Sequence, residues 1–276
     1  MVVHLVARTY GGKPAFQTFE AAKWMWDALR RGFAGALAAV LMPAHLHLIT
    51  EIVSAVVARL RLARILGGFS HWHSPSKEDP IRWQPVPQPK AIEGPEHLRR
   101  QVRYVALNPC RDKLVRDPLE WQWSTHRDVV GAVADPWVTA PRLAPLLDEN
   151  VRGFADSFHR YVSGDRSCDV RGTVPPRAPR PSQCARFPLE RIMTAAAAAT
   201  RQPLAAARTR GPARTAFVLL AHRQGWTDVR VLARACGMTT RGIRKLSGVD
   251  SPELLAAATL CLGDDRLLSP WRGAPR

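Results

Sequence analysis

Apolar and polar positions fall into two regimes along the chain. Residues 2 to 7 alternate in the manner of a short strand, and the run from Thr18 through Trp24, Trp26 and Leu29 to about Gly32 repeats its apolar positions at helical spacing. Thr18 stands where a helix wants a capping hydroxyl. Residues 36 to 42 are continuously apolar, Pro43 interrupts them, and residues 44 to 49 alternate again. That pattern predicts a hairpin leading into a helix from about residue 51 to residue 66. Residues 67 to 94 hold glycines and prolines around a short apolar piece at 81 to 86 and read as irregular chain. Pro95 then opens a helical pattern that Pro109 is expected to end. The tally of strands and helices suits an α+β sandwich of the ferredoxin-like kind over residues 1–130.

The second regime begins after a change of composition. From about Ser163 to Pro188 the chain turns to Arg, Pro, Ser and Gly, with Pro175, Pro176, Pro179 and Pro181 close together, as in a stiff basic linker. Residues 131–188 are thus expected to be an extension and linker. Residues 189–262 show an Ala-rich helical run followed by further helical patterns and no strand-like alternation, so a smaller all-α domain is expected there.

Charge narrows the partners. Of 276 residues, 40 are Lys or Arg and 23 are Asp or Glu, a formal net charge of +17. A polyanion is the natural counterpart, through phosphate contacts and counterion release. Five cysteines, Cys110, Cys168, Cys184, Cys236 and Cys261, form no C-x-x-C pair, which argues against a disulfide framework or a zinc ribbon and fits a reducing compartment. The N-terminus lacks a basic start with a long apolar core, and the apolar stretch from Ala34 is interrupted by Pro43 and His45. The expectation is a cytoplasmic, nucleoid-associated protein without a membrane segment.

Two segments carry candidate chemistry. In Met42-Pro43-Ala44-His45-Leu46-His47-Leu48-Ile49 the histidines stand two apart, so a strand turns both toward one face, where two imidazoles can converge on one ion. The same pattern also occurs on strands with no metal at all. In Tyr104-Val-Ala-Leu-Asn108-Pro109 a phenol and an amide stand four apart on one helix face, although Tyr104 as a core residue and Asn108 as a helix cap is an equally simple account. His71-Trp72-His73, a second His-x-His, lacks strand character and is read as loop. Ser124, His126 and Asp128 have the residue types of a hydrolase triad but no nucleophile elbow beside them.

The order and spacing of these pieces resemble the HUH family of single-stranded-DNA transposases, and within it the REP-associated tyrosine transposases, with their "Met-Pro-Asn-His-x-His" strand and later "Tyr-x-x-x-Asn-Pro" helix. The resemblance spans roughly residues 1 to 130, including residues 98 to 103 before the tyrosine and Trp121-Gln122-Trp123-Ser124-Thr125 after it. It implies His45 and His47 as metal ligands, Asn108 as a third, polar ligand, Tyr104 as the nucleophile, and Mg²⁺ or Mn²⁺ as the ion. The sequence departs from the pattern at Ala44, where the family most often has Asn. A protonated phenol is a poor nucleophile at neutral pH unless positive charge assists it, and a divalent cation supplies that assistance. The implied reaction is transesterification through a 5′-phosphotyrosine with strand transfer. Single-stranded DNA, of the hairpin-bearing kind, is the implied substrate. Arg99, Arg100 and Arg103 before the tyrosine, with Arg111 and Lys113 after it, suit a groove tracking the DNA backbone, or else a solvated helix face. Trp72, Trp83, Trp121 and Trp123 suit base stacking or core packing.

In residues 229–248 the pattern fits a helix-turn-helix. Ala233 is small at the crossing, Gly237 makes the turn, and Leu232, Cys236, Met238, Ile243 and Leu246 occupy apolar positions. Thr239 caps the second helix, and Thr240, Arg241, Arg244 and Lys245 face outward, so residues 239–241, 244 and 245 are candidates for contacting duplex DNA. The wider stretch from Leu189 resembles the DNA-binding C-terminal domain of the bacterial replication initiator DnaA, with Met238-Thr239-Thr240-Arg241-Gly242 in place of that family's Asp-His-Thr-Thr-Val. The expected whole is a transposase, monomeric or homodimeric, joining a single-strand nicking and joining domain to a duplex-binding module. The alternatives are a domesticated, catalytically inactive DNA-binding regulator and an initiator that nicks an origin.

Overall fold

The computed structural model describes residues 1–73, 80–177, 179 and 186–268. It opens with β1 (Val2–Arg8), α1 (Phe19–Gly32), β2 (Ala36–Met42), β3 (His45–Glu51), α2 (Ala55–His73), β4 (Lys90–Ile92) and α3 (Gly94–Arg111). The strands form one four-stranded sheet in the order β2-β3-β1-β4, antiparallel at every pairing. The class is therefore α+β.

α1 begins where its sequence asks it to, with the Thr18 side chain accepting from the Ala21 amide at 3.2 Å. Its Ala22, Met25, Trp26 and Leu29 are buried at helical spacing. Burying each of the larger side chains contributes about 1.5–3 kcal/mol. β2 is buried along its whole length although it lies at the edge of the sheet. The reason is the segment Trp121–Thr125, which docks along that edge. Leu41 N donates to Trp123 O at 3.0 Å, Thr125 N to Ala39 O at 3.0 Å, and the Trp121 indole to Leu41 O at 2.8 Å.

Four sequence expectations are corrected here. Glu51 ends β3 and does not start a helix, and α2 runs on to His73 through Gly67 and Gly68. Leu66 and Phe69 on either side of those glycines are buried, and Trp24 lies 3.5 Å from where a Gly68 Cβ would stand, so packing against α1 holds a helix that propensity alone would break. His71 and His73 thus lie in the last turn of a helix, not in a loop. Residues 67 to 94, read as irregular, also supply β4, paired with β1 through Val2–Ile92, Val3–Ala91 and His4–Lys90. Finally, Pro109 lies inside α3. Its missing N–H forfeits one helical bond, but the last turn closes beyond it with Asp112 N on Asn108 O at 3.0 Å.

After α3 come α4 (His126–Val129), α5 (Ala140–Leu143) and α6 (Phe154–Ser163). Then follow α7 (Leu189–Ala199), α8 (Pro212–Arg223), α9 (Val229–Cys236), α10 (Thr240–Ser247) and α11 (Pro252–Gly263). The chain divides into two compact units. Among the described residues the first holds 1–129 and 137–173, and the second holds 130–136 and those from 174 to 268. The stretch expected as extension and linker is thereby shared. Ala134 N bonds Ala199 O at 2.8 Å in the second unit, whereas Arg171 N bonds Arg116 O at 2.7 Å in the first. Of the linker prolines, Pro181 lies outside the described residues, as does Cys184. The described regular elements of the second unit are all helical. Buried alanines on α7 let α8 and α11 approach it closely. Among the described residues no helix is long and apolar enough to cross a membrane.

Candidate metal and nucleophile site

Strand register assembles the site. On β3, His45 pairs with Arg8 and His47 with Val6 of β1, while His4 pairs with Ile49. Positions two apart share a face, so His4, His45 and His47 all lie on one side of the sheet, with His4 diagonal to His47 across the strand pair. The ring centroids of His45 and His47 are 5.2 Å apart at 84°. α3 brings Tyr104 to the same place. Its ring lies edge to face with His47 at 5.7 Å and with His4 at 6.3 Å.

Burial sets the chemistry of the three imidazoles. His47 is 3% exposed and its Nε2 is buried without a hydrogen-bond partner. Desolvation disfavours the charged ring and lowers the His47 pKa to about 3, helped by the neighbouring His4, His45 and Arg8. Desolvation likewise lowers His4 to about 4, with a hydrogen bond from its ring to the Gln101 side chain opposing it. His45 is lowered by burial and then by Arg8, with Asp112 working the other way. All three rings are neutral at pH 7, the state in which an imidazole nitrogen can bind a cation. Tyr104 is different in being 37% exposed. The Arg111 guanidinium lies over its ring and donates to its backbone carbonyl at 3.1 Å.

Asn108 sits one turn beyond Tyr104, buried, and its Nδ2 donates to the Tyr104 carbonyl at 2.9 Å. Its Oδ1 is the atom of the side chain that could serve a cation. Among the described residues no group of three or more His, Cys, Asp or Glu is placed to hold a metal ion. Two imidazoles and an amide oxygen fall outside such a group, and the orphaned Nε2 of buried His47 is the observation that fits a cation here.

The arginines before the tyrosine are more committed than the sequence suggests. Arg99 pairs with Glu149 at 3.0 Å and Arg103 with Asp165 at 3.3 Å, and both guanidiniums lie over the Tyr161 ring of α6 at 4.5 and 4.4 Å. Arg111 shares Asp165 at 3.5 Å. Arg100 is exposed and pairs with Glu96 one turn back at 3.4 Å. The tryptophans also have partners inside the protein. Trp72 stacks on Trp24, Trp83 meets Phe69 edge on, and Trp123 is buried against Trp26. Asp128 accepts from the Trp137 amide at 2.8 Å, the His126 ring lies 3.0 Å from that of His159, and the His126 amide donates to Ser124 Oγ at 3.2 Å. His4 was the residue that sequence reasoning missed. A histidine at an alternating strand position carries no signal of its own until the register of β1 on β3 is known.

In the second unit, Gly237 adopts φ 63 at the end of α9, and the Thr239 side chain caps α10 by accepting from Gly242 N at 3.2 Å. Leu232, Ala233, Cys236 and Ile243 are buried, whereas Met238 and Leu246, expected in the same core, are half-buried. Thr239, Arg241, Arg244 and Lys245 are exposed and Thr240 is half-buried.

No family model matches the chain, and no curated protein matches it. Among solved structures it is similar to that of a REP-associated tyrosine transposase bound to a REP hairpin, at 22% identity and a TM-score of 0.38, over 46% of this chain and 78% of that one.

Proposed function

We propose that the chain is a metal-dependent DNA transposase that cleaves and rejoins single-stranded DNA through a 5′-phosphotyrosine on Tyr104. The observation that carries this reading is the meeting of three side chains from β3 and α3: an exposed phenol edge to face with His47 at 5.7 Å, and His45 a further 5.2 Å along the strand. The β-α-β-β-α-β order of the first unit, which is that of a ferredoxin-like unit, supports it as well.

His45 and His47, with Asn108 as a polar third, would hold the Mg²⁺ or Mn²⁺. Such an ion would polarise the scissile phosphate and offset charge developing on its oxygens. Tyr104 then supplies the attacking oxygen. Its phenol loses a proton to solvent, the oxygen forms a bond to phosphorus, the P–O3′ bond breaks, and the departing 3′-oxygen takes up a proton. A second 3′-hydroxyl reverses the sequence on another strand, regenerating the phenol, because the phosphotyrosine retains the ester's energy. Arg111 holds the ring of Tyr104 through its guanidinium, 4.7 Å from the ring centroid. The exposed Thr239, Arg241, Arg244 and Lys245, with Thr240, give α10 the composition of a helix that reads duplex DNA and contacts its phosphates. We place the protein with the nucleoid in the cytoplasm, as a monomer or homodimer.

A second reading is a catalytically inactive DNA-binding regulator, supported by Ala44 where the resembled family most often has Asn; the ion pairs that tie Arg99, Arg103 and Arg111 to Glu149 and Asp165 would then leave DNA binding to the second unit. The test is incubation with Mg²⁺ or Mn²⁺ and labelled single strands from the regions flanking its own gene, run on a denaturing gel beside Tyr104→Phe. A covalent adduct in the native chain alone establishes the tyrosine chemistry. Binding without an adduct in either ion favours the regulator.

A further inference from the structure

His4 occupies a place that the proposed chemistry has not used. It is 7% exposed, it stands on β1 diagonal to His47, and its Nε2 lies 2.9 Å from His47 Nδ1. The Gln101 side chain, one turn before Tyr104 on α3, lies beside the His4 ring and interacts with it. Gln101, His4 and His47 thus form a chain of hydrogen bonds that ends at an atom with no protein partner, the buried Nε2 of His47.

We propose that His4 is a positioning residue that fixes the ring plane and tautomer of His47. His4 Nδ1 donates to the Gln101 carbonyl oxygen, His4 Nε2 accepts from His47 Nδ1, and His47 keeps a bare Nε2 for a divalent cation. Only one polarity of the chain does this. A neutral imidazole carries one N–H, so a proton on His47 Nδ1 requires a lone pair on Nε2. Were the chain reversed, His47 would bury an N–H with no acceptor, which is both costly and unable to bind a cation. A ligating histidine generally needs a partner on its other nitrogen; what is unusual is that a second histidine, from the neighbouring strand, serves here in place of a carboxylate or a backbone carbonyl. The arrangement keeps the region beside the cation free of an added negative charge, which suits a site meant for a phosphate.

This inference rests on the metal-binding reading of His47, and its test separates the two. The full-length chain, free of metal and labelled with ¹⁵N-histidine, is examined by long-range ¹H–¹⁵N correlation, and Mn²⁺ binding is measured by calorimetry. In the native chain His47 is expected as the Nδ1–H tautomer. His4→Phe, which keeps an aromatic ring but no acceptor, is expected to move His47 toward the Nε2–H form and to weaken Mn²⁺ by about tenfold to a hundredfold. His4→Gln, which restores an accepting oxygen, should recover most of that loss. If His4→Phe does not fold, Gln101→Leu carries the test from the other end of the chain, with a smaller loss in the same direction. An unchanged His47 tautomer and unchanged Mn²⁺ affinity in a folded variant overturn the proposal. A native chain that binds no Mn²⁺ while showing the expected tautomer, lost in His4→Phe, supports the role of His4 and removes the metal reading instead.

Discussion

The guanidinium of Arg111 lies 4.7 Å from the centroid of the Tyr104 ring, and its Nη1 reaches back 3.1 Å to the carbonyl of the same residue. One side chain therefore clamps the tyrosine through both ring and backbone, and Asp165 steadies the clamp at 3.5 Å. Arg111→Ala should slow formation of the covalent adduct by about threefold to tenfold, the size expected of a partly exposed cation–π contact and one hydrogen bond. Arg111→Lys should not restore the rate, because an ammonium lacks the planar face that lies on the ring. Single-turnover cleavage rates decide this, and native rates in Arg111→Ala would show that the contact does not position the nucleophile.

Acid should destabilise the first unit earlier than its carboxylates require. His4 and His47 bind protons at about 4 and about 3 in the folded chain against 6.5 for an ordinary histidine. Below pH 6.5 the unfolded chain therefore takes up protons that the folded chain refuses, so this contribution to stability is complete above 6.5 and is lost as pH falls toward 4. Asp165, held below the usual carboxylate range by Ser167 and by Arg103 and Arg111 against the opposing pull of desolvation, acts only at lower pH. Urea midpoints between pH 7.5 and 5 should fall in the native chain. A His4→Gln, His47→Asn double variant should show a flatter profile, and parallel profiles would contradict the assignment.

For the second unit the expected signature is a salt slope. Arg244→Ala and Lys245→Ala should each weaken duplex binding and reduce the slope of log affinity against log salt by about one. Cleavage of a short single strand should proceed as in the native chain. Slopes unchanged in both variants would remove α10 from the duplex interface.

Cysteine reactivity offers a check on the packing beneath α3. Burial pushes the Cys110 thiol up to about 12, with Asp117 adding to the shift. At pH 8 it stays protonated and should resist alkylation in the folded chain, while half-exposed Cys168 reacts. Peptide mass mapping after a brief iodoacetamide pulse measures this. Rapid labelling at Cys110 would mean that the end of α3 opens in solution.

Much of the site was legible because it depends on local periods. Two histidines at spacing two must share a face once they lie on a strand, and Tyr104 and Asn108 must share a face once they lie on a helix. What escaped depends on long-range pairing. His4 became part of the site through the register of β1 on β3, which places Val6 opposite His47. Arg99 and Arg103 read as a free basic row because the partners they share or hold, Tyr161 for both and Asp165 for Arg103, lie about 60 residues further along the chain. The glycine pair in α2 read as a break because Trp24, which fills the space beside Gly68, belongs to another helix. β4 was too short, at three residues, to impose an alternation.

The docking of Trp121–Thr125 along the outer edge of β2 bears on how small a working fragment can be. Every candidate ligand and nucleophile of the first unit precedes residue 112, so a fragment ending there would look complete by its reactive groups. It would nevertheless present β2 as a bare, wholly apolar border with unanswered amides at Leu41 and unanswered carbonyls at Ala39. Such a border invites another chain to pair with it. The smallest fragment of the first unit that stays folded is therefore set not by where its candidate reactive groups end but by where its sheet is sealed.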